Sequence, residues 1–189
     1  MYEKIKPHLK NLSNISNNFA VETISFNTNQ LPPINNFNTD IRQNSSFTKM
    51  FELLNTKKGF CIYWFECENE DLATELVTIF KDELQNLSAA ERTIPPFSIY
   101  SNSKVLYVGV RQGGYRKYDG LTNIAGRIIQ HLGYYDKGST GAIHLAHWAM
   151  DKSFEVTLNV IELELLEKEY LYIIEKLFAL SLKPLFGKH

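Results

Sequence analysis

Glu175 is the sharpest chemical feature of this chain, because it has Leu171 and Tyr172 one helical turn before it and Phe178 and Ala179 one turn after. A carboxylate leaving such an apolar surface is costly unless it has a cation, an Arg or Lys partner, or a proton. A hard divalent ion that prefers oxygen ligands meets that need, and so does an ion pair with Lys176 or another surface cation. Asn123, Arg127, Gln130 and His131 fall at i, i+4, i+7 and i+8 on one polar stripe of a second helix. From there the planar donor fork of Arg127 could grip a phosphate, or the stripe could be a solvated face opposite an apolar one. Tyr63 and Tyr107 stand in apolar strands, where a tyrosine is commonly a core residue with its hydroxyl satisfied at the edge. His144 and His147 lie three apart without nearby carboxylates, a pattern that more often supports structure than binds zinc. No Walker-type phosphate loop or Gly-x-Ser-x-Gly elbow is present.

The elements that must position these residues can be read from periodicity. Residues 11–48 are rich in Asn, Ser and Thr and carry Pro32-Pro33, which favours an irregular N-terminal arm, with a short helix at Met50 to Leu54. Phe60 to Phe65 and Val105 to Val110 read as strands, and the alternation from Phe154 to Ile161 predicts a third. Between the first two, Leu72, Leu76, Ile79, Phe80, Leu84 and Leu87 mark an amphipathic helix among acidic residues. Helices are also expected over Thr122–Leu132 and Glu162–Leu182, the latter stopped by Pro184, with a short one over Gly141–Met150.

A hydrophobic content of 44% over 189 residues can bury one substantial core. No apolar run is long enough to cross a bilayer and no secretory pattern follows the basic start, so a soluble cytoplasmic protein is expected. Cys61 and Cys67 fit neither a disulfide framework nor a paired zinc site. The net charge of −1 hides a division. Residues 59–110 hold three Lys/Arg against eight Asp/Glu, whereas 111–137 hold Arg111, Arg116, Lys117, Arg127 and Lys137 against Asp119 and Asp136. The basic segment is the better candidate to meet a polyanion.

In chain order, Gly59-Phe60-Cys61-Ile62-Tyr63, Leu106-Tyr107-Val108-Gly109, Arg127 with His131 four residues later, and Glu175 followed by Pro184 together resemble the GIY-YIG nuclease family. The first motif has two extra residues between Gly and Ile, the second has Val for its middle Ile, and Gly187 stands where the family often has Asn. The resemblance spans about residues 57–187 and requires a long insertion, about 66–103, inside what is normally a hairpin, a change that loops tolerate at modest entropic cost.

The resemblance implies a small α/β domain at 57–189, with a three-stranded, mostly antiparallel sheet flanked by helices, the helical insertion, and an N-terminal arm at 1–56. It implies divalent-metal-dependent endonuclease activity on nucleic acid, with DNA the expected substrate. Glu175 would bind Mg2+ or Mn2+, Tyr63 would act as or orient a general base, and Arg127 would stabilise charge at phosphorus. Tyr107 and His131 would support them, and Arg111, Arg116, Lys117 and Arg127 would contact nucleic acid. The acidic insertion would cover a sheet edge or meet a protein partner or a second copy. A noncatalytic nucleic-acid or protein-binding module on the same scaffold is the alternative.

Overall fold

Runs of aromatic and β-branched residues build the central sheet in a computed structural model, which describes Pro7 and residues 20–34, 40–89, 93–114, 123–135, 141–163 and 168–187. Strand β2 (Phe60–Cys67) pairs antiparallel with β3 (Val105–Gln112) on one side and with β4 (Glu155–Leu163) on the other. A further strand, β1 (Glu22–Asn27), pairs antiparallel with β4, giving the order β1-β4-β2-β3. The α/β class is as expected, but the sheet has four strands rather than three.

The added strand comes from the segment expected to be an irregular arm. In Glu22-Thr23-Ile24-Ser25-Phe26-Asn27, Ile24 and Phe26 turn inward while Thr23 and Ser25 stay exposed, a period of two that outweighs the turn-prone composition. Lys57 fastens the start of this strand, because its buried ammonium meets Glu22 at 2.5 Å and Glu162 at 3.8 Å. Glu162 also accepts the backbone N–H groups of Lys58 and Gly59, each at 2.7 Å. These bonds hold Glu162 in β4, so residues 162 and 163, expected to open a helix, are strand, and the described helix is Lys168–Leu182.

Alternation along β2 sends Cys61, Tyr63 and Phe65 into one core and Ile62 and Trp64 into another. Helices α1 (Thr48–Thr56), α2 (Glu70–Asp82) and α4 (Ile124–Leu132) cover the first core, with the short α3 (Leu84–Ala89) after α2. Helix α5 (Lys168–Leu182) covers the second, lying chiefly along β3. Both α2 and α3 lie in the insertion between β2 and β3, and the two strands keep their antiparallel pairing around it. The stretch Gly141–Met150, expected to be a helix, contains a single 3-10 turn at Leu145–His147. After α5, the amides of Leu185 and Phe186 donate to Val105 and Leu106 at 2.9 Å, closing part of the exposed edge of β3. Among the described residues no helix is long and apolar enough to cross a membrane.

Candidate active site

The antiparallel register brings the two tyrosine segments together, setting Tyr63 opposite Gly109 and Phe65 opposite Tyr107. The rings of Tyr63 and Tyr107 stack with centroids 6.3 Å apart. Gly109 is required by this contact, since a Cβ there would stand 2.5 Å from the Tyr63 hydroxyl oxygen and 2.9 Å from the Tyr107 ring. The glycine of the second motif is therefore the space into which the tyrosine of the first motif projects.

Helix α4 crosses this face. Asn123 begins it by accepting the Gly126 N–H at 2.8 Å and donates to the Gly114 carbonyl at 2.7 Å, so the cap ties the helix to the end of β3. Gly133 ends it at φ +101°, where a side chain would be strained and would press on His147. The polar stripe of α4 is not solvated: Asn123, Arg127, Gln130 and His131 are all buried, the last completely. Ile124, Ala125, Ile128, Ile129 and Leu132 enter the apolar core, and the polar side chains find partners within the protein. The view of Arg127 as a surface group opposite an apolar face is corrected accordingly.

Arg127 donates from Nε to the Tyr63 hydroxyl at 3.3 Å, from one terminal nitrogen to Gln130 at 2.8 Å, and from the other to the Tyr107 hydroxyl at 3.1 Å and the Gly141 carbonyl at 3.2 Å. Four bonds occupy four of its five N–H donors. Burial opposes its charge, but the two tyrosine oxygens outweigh that cost and raise its pKa, so Arg127 is a permanent cation. His131 Nδ1 accepts the Ile143 N–H at 3.3 Å, which places the ring proton on Nε2, 3.0 Å from the Tyr63 hydroxyl. Burial, then Arg127, His144 and Arg111, lower the His131 pKa well below the ordinary histidine value, so the ring is neutral at pH 7. The Tyr63 oxygen thus receives two N–H donors and retains its own proton. Tyr63 is 1% exposed, and burial raises its pKa above the ordinary tyrosine value even though Arg127 pulls the other way. A neutral orienting hydroxyl suits this environment; a phenolate base does not. Tyr107, half-buried, is the member of the pair nearer the surface.

Glu175 arrives from α5, on the other face of the sheet. Because β3 is the edge strand, side chains from both faces can act on one another beside it. Burial raises the Glu175 pKa, while the charges of Arg111 and then Arg127 lower it. No described residue forms an ion pair with this carboxylate within 4 Å, and the surface pairing with Lys176 is not made. Arg111 is exposed, and its register partner Cys61 places it on the tyrosine face. Tyr63, Tyr107, Arg127 and His131 therefore form one bonded cluster, and Glu175 and Arg111 share its electrostatic field. Arg116 and Lys117 lie outside the described residues. Reading along the chain missed Gln130 and the backbone of Gly141 and Ile143 as partners of the cluster, and only the spacing of Gln130 after Arg127 could have suggested one of them.

Among the described residues no group of three or more His, Cys, Asp or Glu could hold a metal ion. A lone carboxylate still fits Mg2+ or Mn2+, because such ions keep several waters and bind through one or two carboxylates together with substrate phosphate oxygens. No protein-family model, curated protein or solved structure matches the chain.

Proposed function

We propose that the chain is a divalent-metal-dependent endonuclease acting on DNA, with its centre at Glu175 and the Tyr63–Tyr107–Arg127–His131 cluster. The observation that carries this reading is the convergence of four polar residues from three distant segments, with a carboxylate that makes no ion pair among the described residues held in the field of two arginines. The order and spacing that resemble GIY-YIG nucleases add to it.

Glu175 would hold Mg2+ or Mn2+, and the ion would supply Lewis-acid polarisation of a phosphate oxygen. Arg111, exposed and acting on Glu175 through its positive charge, would meet the phosphate. Arg127 is buried with four donors committed, so its part is to fix the two tyrosine hydroxyls and contribute positive potential. Tyr107 carries a hydroxyl near the surface that can orient water or phosphate. Tyr63 and His131 hold Tyr107 and Arg127 in place from behind.

One observation favours the noncatalytic binding module instead: Tyr63, Arg127 and His131 are 1%, 6% and 0% exposed, burial that a structural scaffold accounts for without a substrate. Incubating supercoiled plasmid with the protein and Mn2+ or Mg2+, against an EDTA control, separates the two. The nuclease produces metal-dependent nicked circles. A preparation that binds DNA and never nicks it supports the module.

A further inference from the structure

Seven large apolar side chains are exposed among the described residues, and four of them, Tyr172, Ile173, Leu177 and Leu180, lie on α5. The sheet-facing side of that helix is already used, with Leu171, Ile174 and Phe178 packed on Ile62, Trp64 and Val108. Ile173, Leu177 and Leu180 follow at i, i+4 and i+7, the spacing of a seam between helices, on the side turned away from the sheet. Exposed Glu169 stands one turn before Ile173, and exposed Lys183 immediately follows the helix.

We propose that this stripe is a self-association surface, occupied by α5 of a second copy of the chain running antiparallel to the first. The ends of the stripe carry opposite charges, so an antiparallel pair sets each Glu169 near the partner's Lys183, whereas a parallel pair sets like against like. A two-fold axis near Lys176 and Leu177 puts Ile173 against the partner's Leu180 and Leu180 against the partner's Ile173, as a closed symmetric interface requires. The two Lys176 side chains flank that axis, and their long stems let the ammonium groups diverge into water. The stripe is a single helix face with three apolar side chains, so the association is expected to be weak and concentration-dependent. On the nuclease reading the pair carries two sites, one for each strand of a duplex, but the association stands or falls independently of that reading.

Sedimentation of the full chain from low micromolar to a few hundred micromolar concentration tests the proposal. The parent passes from monomer to dimer, Leu177→Glu remains monomeric with its melting temperature unchanged, and Glu169→Lys weakens association while Glu169→Lys with Lys183→Glu restores it. Lys176→Cys supplies a thiol near the axis, while the native Cys61 and Cys67 are buried, and mild oxidation converts it to a disulfide-linked dimer. A parent that stays monomeric throughout overturns the proposal, as does a dimer indifferent to Leu177→Glu. A monomeric parent whose Leu177→Glu variant melts lower also overturns it, and assigns the stripe to another segment of the same chain.

Discussion

His131 shows how one buried ring links the site to solution conditions. Its Nδ1 is committed to the Ile143 N–H and its Nε2–H to Tyr63, so a second ring proton has no place in the fold. Below about pH 6.5 the unfolded chain takes up a proton that folded His131 refuses, and stability falls by about 1.4 kcal/mol per pH unit until its lowered folded pKa is reached. Above pH 6.5 the ring is neutral in both states and its contribution is constant. Melting temperature is therefore expected to decline from pH 7 to 5, with a shallower slope in His131→Gln, whose amide keeps a donor and an acceptor without titrating. Equal slopes in the two proteins would show that His131 is protonated within the fold. Arg127 was legible in the sequence as a phosphate-binding candidate, but its burial was not, because a helix's polar stripe gives no sign of whether water or another polar cluster faces it.

At the scale of elements, the β2–β3 pairing determines the site more than any single side chain does. It stacks Tyr63 on Tyr107 over the gap left by Gly109, and α4 delivers Arg127 and His131 onto the pair. Gly109→Ala would force the Tyr63 hydroxyl away from both N–H donors, costing about 1–3 kcal/mol of stability through overpacking and a larger share of activity through displaced hydroxyls. A variant that melts and cleaves like the parent would mean that the Tyr63 position is immaterial. Strands β2, β3 and β4 could be read from dense runs and alternation because their side chains state their burial directly. Strand β1 was hidden by its Asn- and Thr-rich surroundings, although Ile24 and Phe26 carried its period. Glu162 lies in β4 and not in the expected helix because the decisive contacts, with the amides of Lys58 and Gly59, join residues more than 100 positions apart.

Across the whole molecule, charge along the chain is divided between the acidic insertion and the segment that begins at Arg111. Glu70, Glu75 and Asp82 are exposed on or at the end of α2. Replacing all three with their amides is expected to preserve cleavage and leave DNA binding unchanged or tighter, because the change removes repulsion without touching the site. Weaker DNA binding by this variant in a salt-controlled titration would make the insertion part of the nucleic-acid surface. The central claim is that Glu175 is a metal ligand serving a nuclease site, and Glu175→Gln tests it most directly. The amide keeps the shape and loses the anionic oxygen that a hard divalent ion requires. Burial disfavours the charged form of this side chain and no described ion pair repays it, so the variant should melt at or above the parent temperature at pH 7 without metal. Mn2+ should raise the melting temperature of the parent alone, and Mn2+-dependent plasmid nicking should vanish in the variant. A variant that binds Mn2+ and nicks plasmid as the parent does would contradict the account.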